Sequence, residues 1–216
     1  MNTFRNADGK PVLLKMVKSI QNNKAYLGEI DGLIGDGDHG MNMNKGFSIF
    51  EERYGNEDFN FAEGLDRLGM ILLNEIGGSM GPIYGTIFID AAESLDNIED
   101  IGLKELMHML STSLEGLYGI VDAKVGDKTL VDTLSPAVES LKGSVEDGTG
   151  YIEALMKMKK AAEKGRDGTK SMVAKFGRSS RLGERSRNVL DAGATSCCII
   201  LEAMADGIIE ILQYEP

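Results

Sequence analysis

Positive charge is in short supply in this chain. Its 23 lysines and arginines stand against 34 aspartates and glutamates, giving a formal net charge of −11. Such a surface repels nucleic acid and anionic lipid, which excludes general polyanion binding as a function class. A small anionic ligand is not excluded, because a bound metal ion reverses the local field. Cysteine is scarce as well: Cys197 and Cys198 are the whole supply, and they are adjacent. That spacing provides neither a disulfide framework nor a metal-ligand set. It reads as two small buried hydrophobes on a helix. Long apolar runs are missing; the run Cys197 to Leu201 stops at Glu202, far short of a bilayer span. Met1 to Lys10 is polar and has no apolar signal core. A P-loop is absent too, since the Gly9-Lys10 pair is followed by Pro11. There is no internal repeat and no low-complexity stretch. The expectation is a cytoplasmic protein with no membrane and no nucleic-acid partner.

What the chain does have is helical periodicity. Its 216 residues, 42% hydrophobic and 26% charged, predict one domain over 1–216 with a core that needs no disulfide or structural metal. Leu13, Met16, Val17, Ile20 and Leu27 share one face of a helix beginning near Pro11. Similar stripes run through Leu65 to Ile76, Ile83 to Leu95, Leu103 to Leu117, Leu130 to Leu141, Ile152 to Ala162 and Cys197 to Leu212. A shorter helix follows His39 and carries Met43, Phe47 and Phe50. The β-branched run Thr86 to Ile89 fits the helical period better than a strand. About eight antiparallel helices with short links predict an all-α bundle or closed barrel, its interior filled by Leu, Ile and Met. The one long irregular segment, Gly165 to Ala192, is basic and glycine-rich, a length that is usually functional or disordered.

Three segments could carry chemistry. Asp31-Gly-Leu-Ile-Gly-Asp36-Gly-Asp38-His39-Gly40 sets three carboxylates within eight residues, spaced mainly by glycine. Glycine lets the backbone fold tightly enough for them to converge. Converged carboxylates repel unless a cation joins them, and hard oxygen ligands favour magnesium or calcium. A solvated acidic turn is the competing reading. An EF-hand fails, because a loop starting at Asp36 would need glycine and glutamate where Met41 and Phe47 stand. Gly35, Gly37 and Gly40 match a dinucleotide fingerprint formally, but that motif needs a preceding strand, and aspartates inside it would repel a pyrophosphate. The second segment, Gly77-Gly78-Ser79-Met80-Gly81-Pro82, opens a helix whose free N–H groups attract phosphate, with the Ser79 hydroxyl beside them. An ordinary capped turn with proline in the first turn reads the same residues equally simply. Asp191-Ala192-Gly193-Ala194-Thr195-Ser196 opens the last helix in a similar way. Arg178, Arg181, Arg185 and Arg187 lie in the basic segment as phosphate donors or as a solvated face.

Taken together and in order, these blocks are similar to those of the L subunit of dihydroxyacetone kinase. The matching blocks are Ile34 to Gly46, Gly77 to Gly85, Gly126-Asp127-Lys128-Thr129-Leu130, Gly177 to Ser186 and Asp191 to Ser196. The resemblance implies an eight-helix antiparallel barrel with a nucleotide bound at one end. It implies magnesium on Asp31, Asp36 and Asp38. It implies ADP or ATP against His39, Gly40, Met41, Asn42, Ser79, Met80, Leu130, Arg178, Asp191, Ala192 and Gly193, with no catalytic side chain supplied by this chain. Two departures stand out: Ser79 and Met80 occur where the family commonly has a small residue followed by serine, and Ala192 occurs where many relatives have proline. The first leaves open where the phosphate-binding hydroxyl sits.

The same resemblance implies a place in phosphoryl transfer. In this family a K subunit holds dihydroxyacetone, and in phosphotransfer-system versions an M subunit rephosphorylates bound ADP with phosphate from phosphoenolpyruvate. This chain would be the nucleotide half of that active site. Two other roles stay open: the nucleotide subunit of an ATP-dependent ketose kinase, and a non-enzymatic nucleotide-binding regulator, since L subunits of this family also contact transcription regulators. A nucleotide-binding domain of the fatty-acid kinase type is disfavoured by His39 and Asn44-Lys45.

Overall fold

The computed structural model describes residues 3–214. Each apolar stripe becomes the buried face of a helix. In chain order these are α1 (Lys10–Asn22), α2 (Lys24–Ile34), α3 (His39–Tyr54), α4 (Phe61–Glu75), α5 (Met80–Ser94), α6 (Leu103–Ile120), α7 (Val131–Glu146), α8 (Tyr151–Gly168) and α9 (Ala192–Tyr214). Pro11 sits in the first turn of α1, where its missing N–H costs nothing. Asn60 and Glu63 close a reciprocal capping box on α4, at 2.9 and 3.0 Å. Thr86 to Ile89 lies within α5, as its spacing predicts.

Eight of the helices form a ring. α1, α3, α4, α5, α6, α7, α8 and α9 each pack on the next in that order, and α9 closes onto α1. The short links 55–60, 76–79 and 147–150 reverse the chain and make antiparallel neighbours. The predicted barrel of eight helices is therefore present, with α2 lying outside the ring against α3 and α9. Phe47 and Phe88 meet edge to face inside it, centroids 6.2 Å apart, and Leu13, Met16, Met43, Leu68, Leu134 and Leu155 are shut off from solvent. Each such side chain contributes about 1.5–3 kcal/mol by leaving water. An apolar gap of about 30 Å³ remains between α4, α5, α6, α7 and α9, so the interior is filled much as the stripes predict.

Three features depart from the sequence reading. The helix expected to run from Pro11 past Leu27 is two helices broken at Asn23, whose side chain donates to the Ser19 carbonyl at 2.8 Å and competes with the helical ladder. The supposedly irregular segment Gly165 to Ala192 is largely ordered. α8 continues to Gly168, and tight turns follow at Thr169–Ser171 and Arg178–Ser186, the latter kinked at Gly183. A small ribbon is added to the all-helical plan: β1 (Thr3–Arg5) pairs antiparallel with β2 (Asp100–Gly102), Thr3 opposite Gly102. Among the described residues, no helix is long and apolar enough to cross a membrane.

Candidate functional site

Alternating helix directions bring the starts of α3, α5 and α9 to one end of the barrel, next to the end of α2. The chain leaves α2 and enters α3 through Gly35-Asp36-Gly37-Asp38. Gly37 is in the left-handed region, at φ +76°, which makes room for so tight a reversal. Gly40 lies against the backbone of α2, with the Lys24 carbonyl and the Gly28 nitrogen where a Cβ would go. This packing holds the first turn of α3 close to α2. As a result Asp31, Asp36 and Asp38 each present a carboxylate oxygen, all within 4.8 Å of one another. The His39 backbone N–H donates to Asp31 at 3.3 Å.

The three carboxylates of this cluster repel one another, and a cation would relieve that repulsion. Asp38 is held above the usual carboxylate range by burial, then by the charges of Asp36 and Asp31; a hydrogen bond from Asn42 and the charge of Arg178 work the other way. Asp191, partly buried in the cleft wall at the start of α9, is pushed up to about 6, chiefly by burial. Its carboxylate accepts the Ala194 N–H at 2.7 Å and so caps α9. The one guanidinium in the cluster is that of Arg178, 2.9 Å from Asp36. Three convergent hard oxygen donors fit magnesium or calcium, and Asp31, Asp36 and Asp38 are the residues that would hold the ion.

Beside the carboxylates opens a cleft of about 330 Å³, at the lower end of the range for small-ligand sites. Its polar wall includes Ser79, Thr129 and Arg178. Its apolar wall includes Met80, Ile83, Val121, Leu130 and Phe176. The starts of α5 and α9 form part of the lining, so their free N–H groups provide a local positive potential. Behind the cleft, His39 Nε2 lies 2.8 Å from the Ser196 hydroxyl, and the Tyr84 hydroxyl lies 2.6 Å from that same oxygen. Burial lowers His39 to about 4, so the ring is neutral at ordinary pH.

Of the residues singled out from the sequence, Asp31, Asp36, Asp38, His39, Ser79, Met80, Leu130, Arg178, Asp191, Ala192 and Gly193 all line this one cleft. Gly40, Met41 and Asn42 do not. Gly40 is packed under α2, the Met41 side chain is exposed at 58%, and Asn42 turns to Asp38. Sequence reasoning passed over Tyr84, Val121, Lys128, Thr129 and Phe176, which also line it. Tyr84, Lys128 and Thr129 lie inside the blocks that carried the resemblance; Val121 and Phe176 had no local signal.

Fold and site together define a closed helical barrel with an acidic, cation-fitted cleft at one end, beside the starts of three helices. The chain belongs to the DAK2 domain family, whose model matches residues 33–206. It is 39% identical to the PEP-dependent dihydroxyacetone kinase, ADP-binding subunit DhaL, of Escherichia coli, over 83% of this chain and 86% of that one. It is 35% identical to the PTS-dependent dihydroxyacetone kinase, ADP-binding subunit DhaL, of Lactococcus lactis, over 89% of this chain and 92% of that one. Against the human triokinase/FMN cyclase the identity is 29%, covering 94% of this chain and 34% of that longer one. Among solved structures, the dihydroxyacetone kinase from C. freundii in complex with AMP-PNP and Mg2+ superimposes with a TM-score of 0.68 at 21% identity. The match covers 94% of this chain and 34% of that one, and at this identity it shows the fold.

Proposed function

We propose that this chain is the nucleotide-holding subunit of a dihydroxyacetone kinase that draws on phosphoenolpyruvate. In this reading it keeps ADP and magnesium in the cleft at the end of the barrel. The observation that carries it is the convergence of Asp31, Asp36 and Asp38 within 4.8 Å beside a cleft lined by Arg178 and two helix starts. Bound there, magnesium would neutralise phosphate charge. The chain's own residues would bind and orient. The N–H groups opening α5 and α9, the Ser79 hydroxyl and the Arg178 guanidinium hold phosphate oxygens, and Met80, Leu130 and Phe176 cover apolar parts of the nucleotide. Phosphoryl transfer depends on such positioning and charge neutralisation more than on covalent help, which accords with a neutral, hydrogen-bonded His39 and no side chain here assigned a catalytic step.

The dihydroxyacetone would sit on a separate K subunit, and an M subunit of the phosphotransfer system would recharge the bound ADP. The higher identity to ADP-binding subunits, 39% for the Escherichia coli protein against 29% for the human triokinase/FMN cyclase, favours this relay over an ATP-dependent ketose kinase. The test is reconstitution. The purified chain with ATP, magnesium and dihydroxyacetone should give no turnover, and phosphoenolpyruvate with K and M subunits should restore it. Turnover by the chain alone, or with ATP and a K subunit only, would overturn the relay.

A further inference from the structure

The long segment between α8 and α9 brings Phe176 and Arg178 over the cleft, and both of its ends meet at one side chain. Lys128 is 1% exposed and occupies the left-handed backbone region at φ +64°, which a lysine rarely adopts. Its ammonium donates to the Thr169 carbonyl at 2.6 Å and to the Val189 carbonyl at 2.5 Å. Those two carbonyls are 20 residues apart and mark where the segment leaves α8 and where it returns to α9. Nearby bonds reinforce the junction. The Asn188 N–H donates to Lys170 at 2.7 Å, the Asp191 N–H donates to the Thr169 hydroxyl at 3.0 Å, and Lys175 pairs with Asp127 at 2.5 Å. Asp132 in turn secures the Lys128 turn by accepting the N–H groups of Gly126 and Thr129, at 2.5 and 2.8 Å.

We infer that Lys128 is a positioning residue for the cleft: one buried ammonium ties both feet of the 169–189 segment together and thereby sets Arg178 against Asp36 and the nucleotide. The inference rests on reading the cleft as the nucleotide site. A lysine costs desolvation at this depth, and burial accordingly lowers its pKa, against the charges of Asp191 and Asp132. An ammonium bonded to two carbonyls is a strong tie of the charge-assisted kind. Phe176 and Arg178 lie midway along the segment, beside Lys175, whose bonds to Asp127 are the nearest other tie, so loosening the feet should let both side chains shift from the cleft without touching the barrel.

The consequence for ligands has two opposite signs. Arg178 occupies Asp36 while the segment is tied down, so it competes with a cation for that carboxylate and also supplies a donor to the nucleotide. Releasing the segment should therefore tighten binding of a bare cation to the aspartates and weaken binding of ADP. Three measurements on the full chain test this for Lys128→Met against the unaltered protein and Arg178→Ala. They are amide exchange without ligand, Mn2+ binding by electron paramagnetic resonance, and ADP binding by calorimetry in magnesium. Lys128→Met is expected to exchange at least tenfold faster over 172–188, with α4 to α6 unchanged. It should bind Mn2+ more tightly and ADP at least tenfold more weakly. Arg178→Ala should share both ligand effects and leave exchange unaltered. Where Lys128→Met does not fold, Lys128→Gln keeps two N–H donors on a shorter chain and should give intermediate exchange. Unchanged exchange over 172–188, unchanged ADP affinity in a loosened variant, or global unfolding of both Lys128 variants would overturn the inference. Absence of ADP binding by the unaltered protein would instead sink the nucleotide reading and leave the exchange result standing.

Discussion

At the scale of single residues, the aspartates of the cleft (Asp31, Asp36, Asp38 and Asp191) outnumber its cations, Arg178 and Lys128, and stability should show it. Asp191 is pushed up to about 6 by burial, from an ordinary value of 3.8. Its contribution to stability is then complete below about pH 4 and is lost as pH rises through 6, because the buried carboxylate must ionise. Without metal or nucleotide, Asp191→Asn keeps the cap acceptor and removes that penalty. It should unfold at higher denaturant than the unaltered protein at pH 7.5, by up to about 3 kcal/mol, with the gap closing near pH 4. Equal stabilities at both pH values would refute this. Asp36→Asn is different, since Asp36 is partly exposed and paired with Arg178. Losing such a pair costs about 0–1 kcal/mol, against some relief of repulsion from Asp31 and Asp38. Its melting temperature without ligand should barely move, while magnesium-dependent ADP affinity falls at least tenfold by calorimetry. An unfolded variant would show Asp36 to be structural.

At the scale of elements, the helices were legible because their apolar period survives packing: the stripe from Leu103 to Leu117 and the helix α6 are the same object. The break at Asn23 was not legible, since apolar residues continue through Leu27, Ile30 and Ile34 on the far side, and only the Asn23 side chain marks the interruption. Two variants separate fold from site. Asn60→Ala opens the capping box on α4, remote from the cleft, and should cost about 1 kcal/mol in chemical denaturation with ADP affinity unchanged. Gly40→Ala forces a methyl group into the backbone of α2. It should cost roughly 1–3 kcal/mol and also weaken ADP binding, because it moves the aspartates and the start of α3 together. If Gly40→Ala binds ADP normally, the close approach of α2 and α3 does not set the site.

At the scale of the whole molecule, the site divides into what local sequence could show and what only ring closure creates. The three aspartates announced themselves because glycine spacing and like charge are local features. Tyr84, Val121, Lys128 and Phe176 come from four separate stretches and carry no common motif; they become neighbours when the barrel closes. Gly40, Met41 and Asn42 illustrate the converse: adjacent to His39 in sequence, they point to packing, to solvent and to Asp38. A ligand bound across so many elements should stabilise all of them. ADP at a hundred times its dissociation constant, with magnesium, should raise stability by about 2.7 kcal/mol, seen as a higher melting temperature that chelation of the metal reverses. A chelator-insensitive shift would mean the aspartates do not act through a cation.

The closure of α9 onto α1 also has a meaning in time. A ribosome delivers α1 well before α9, and contacts so far apart along the chain form late. Arg178, Asp191 and Gly193 enter the cleft from the stretch that follows α8 and opens α9. A growing polypeptide that has displayed Asp31, Asp36, Asp38 and Ser79 therefore still has an open-sided pocket. If the cleft holds nucleotide as proposed, capture must await synthesis of α9, and occupancy of the site would report that translation has passed through that helix.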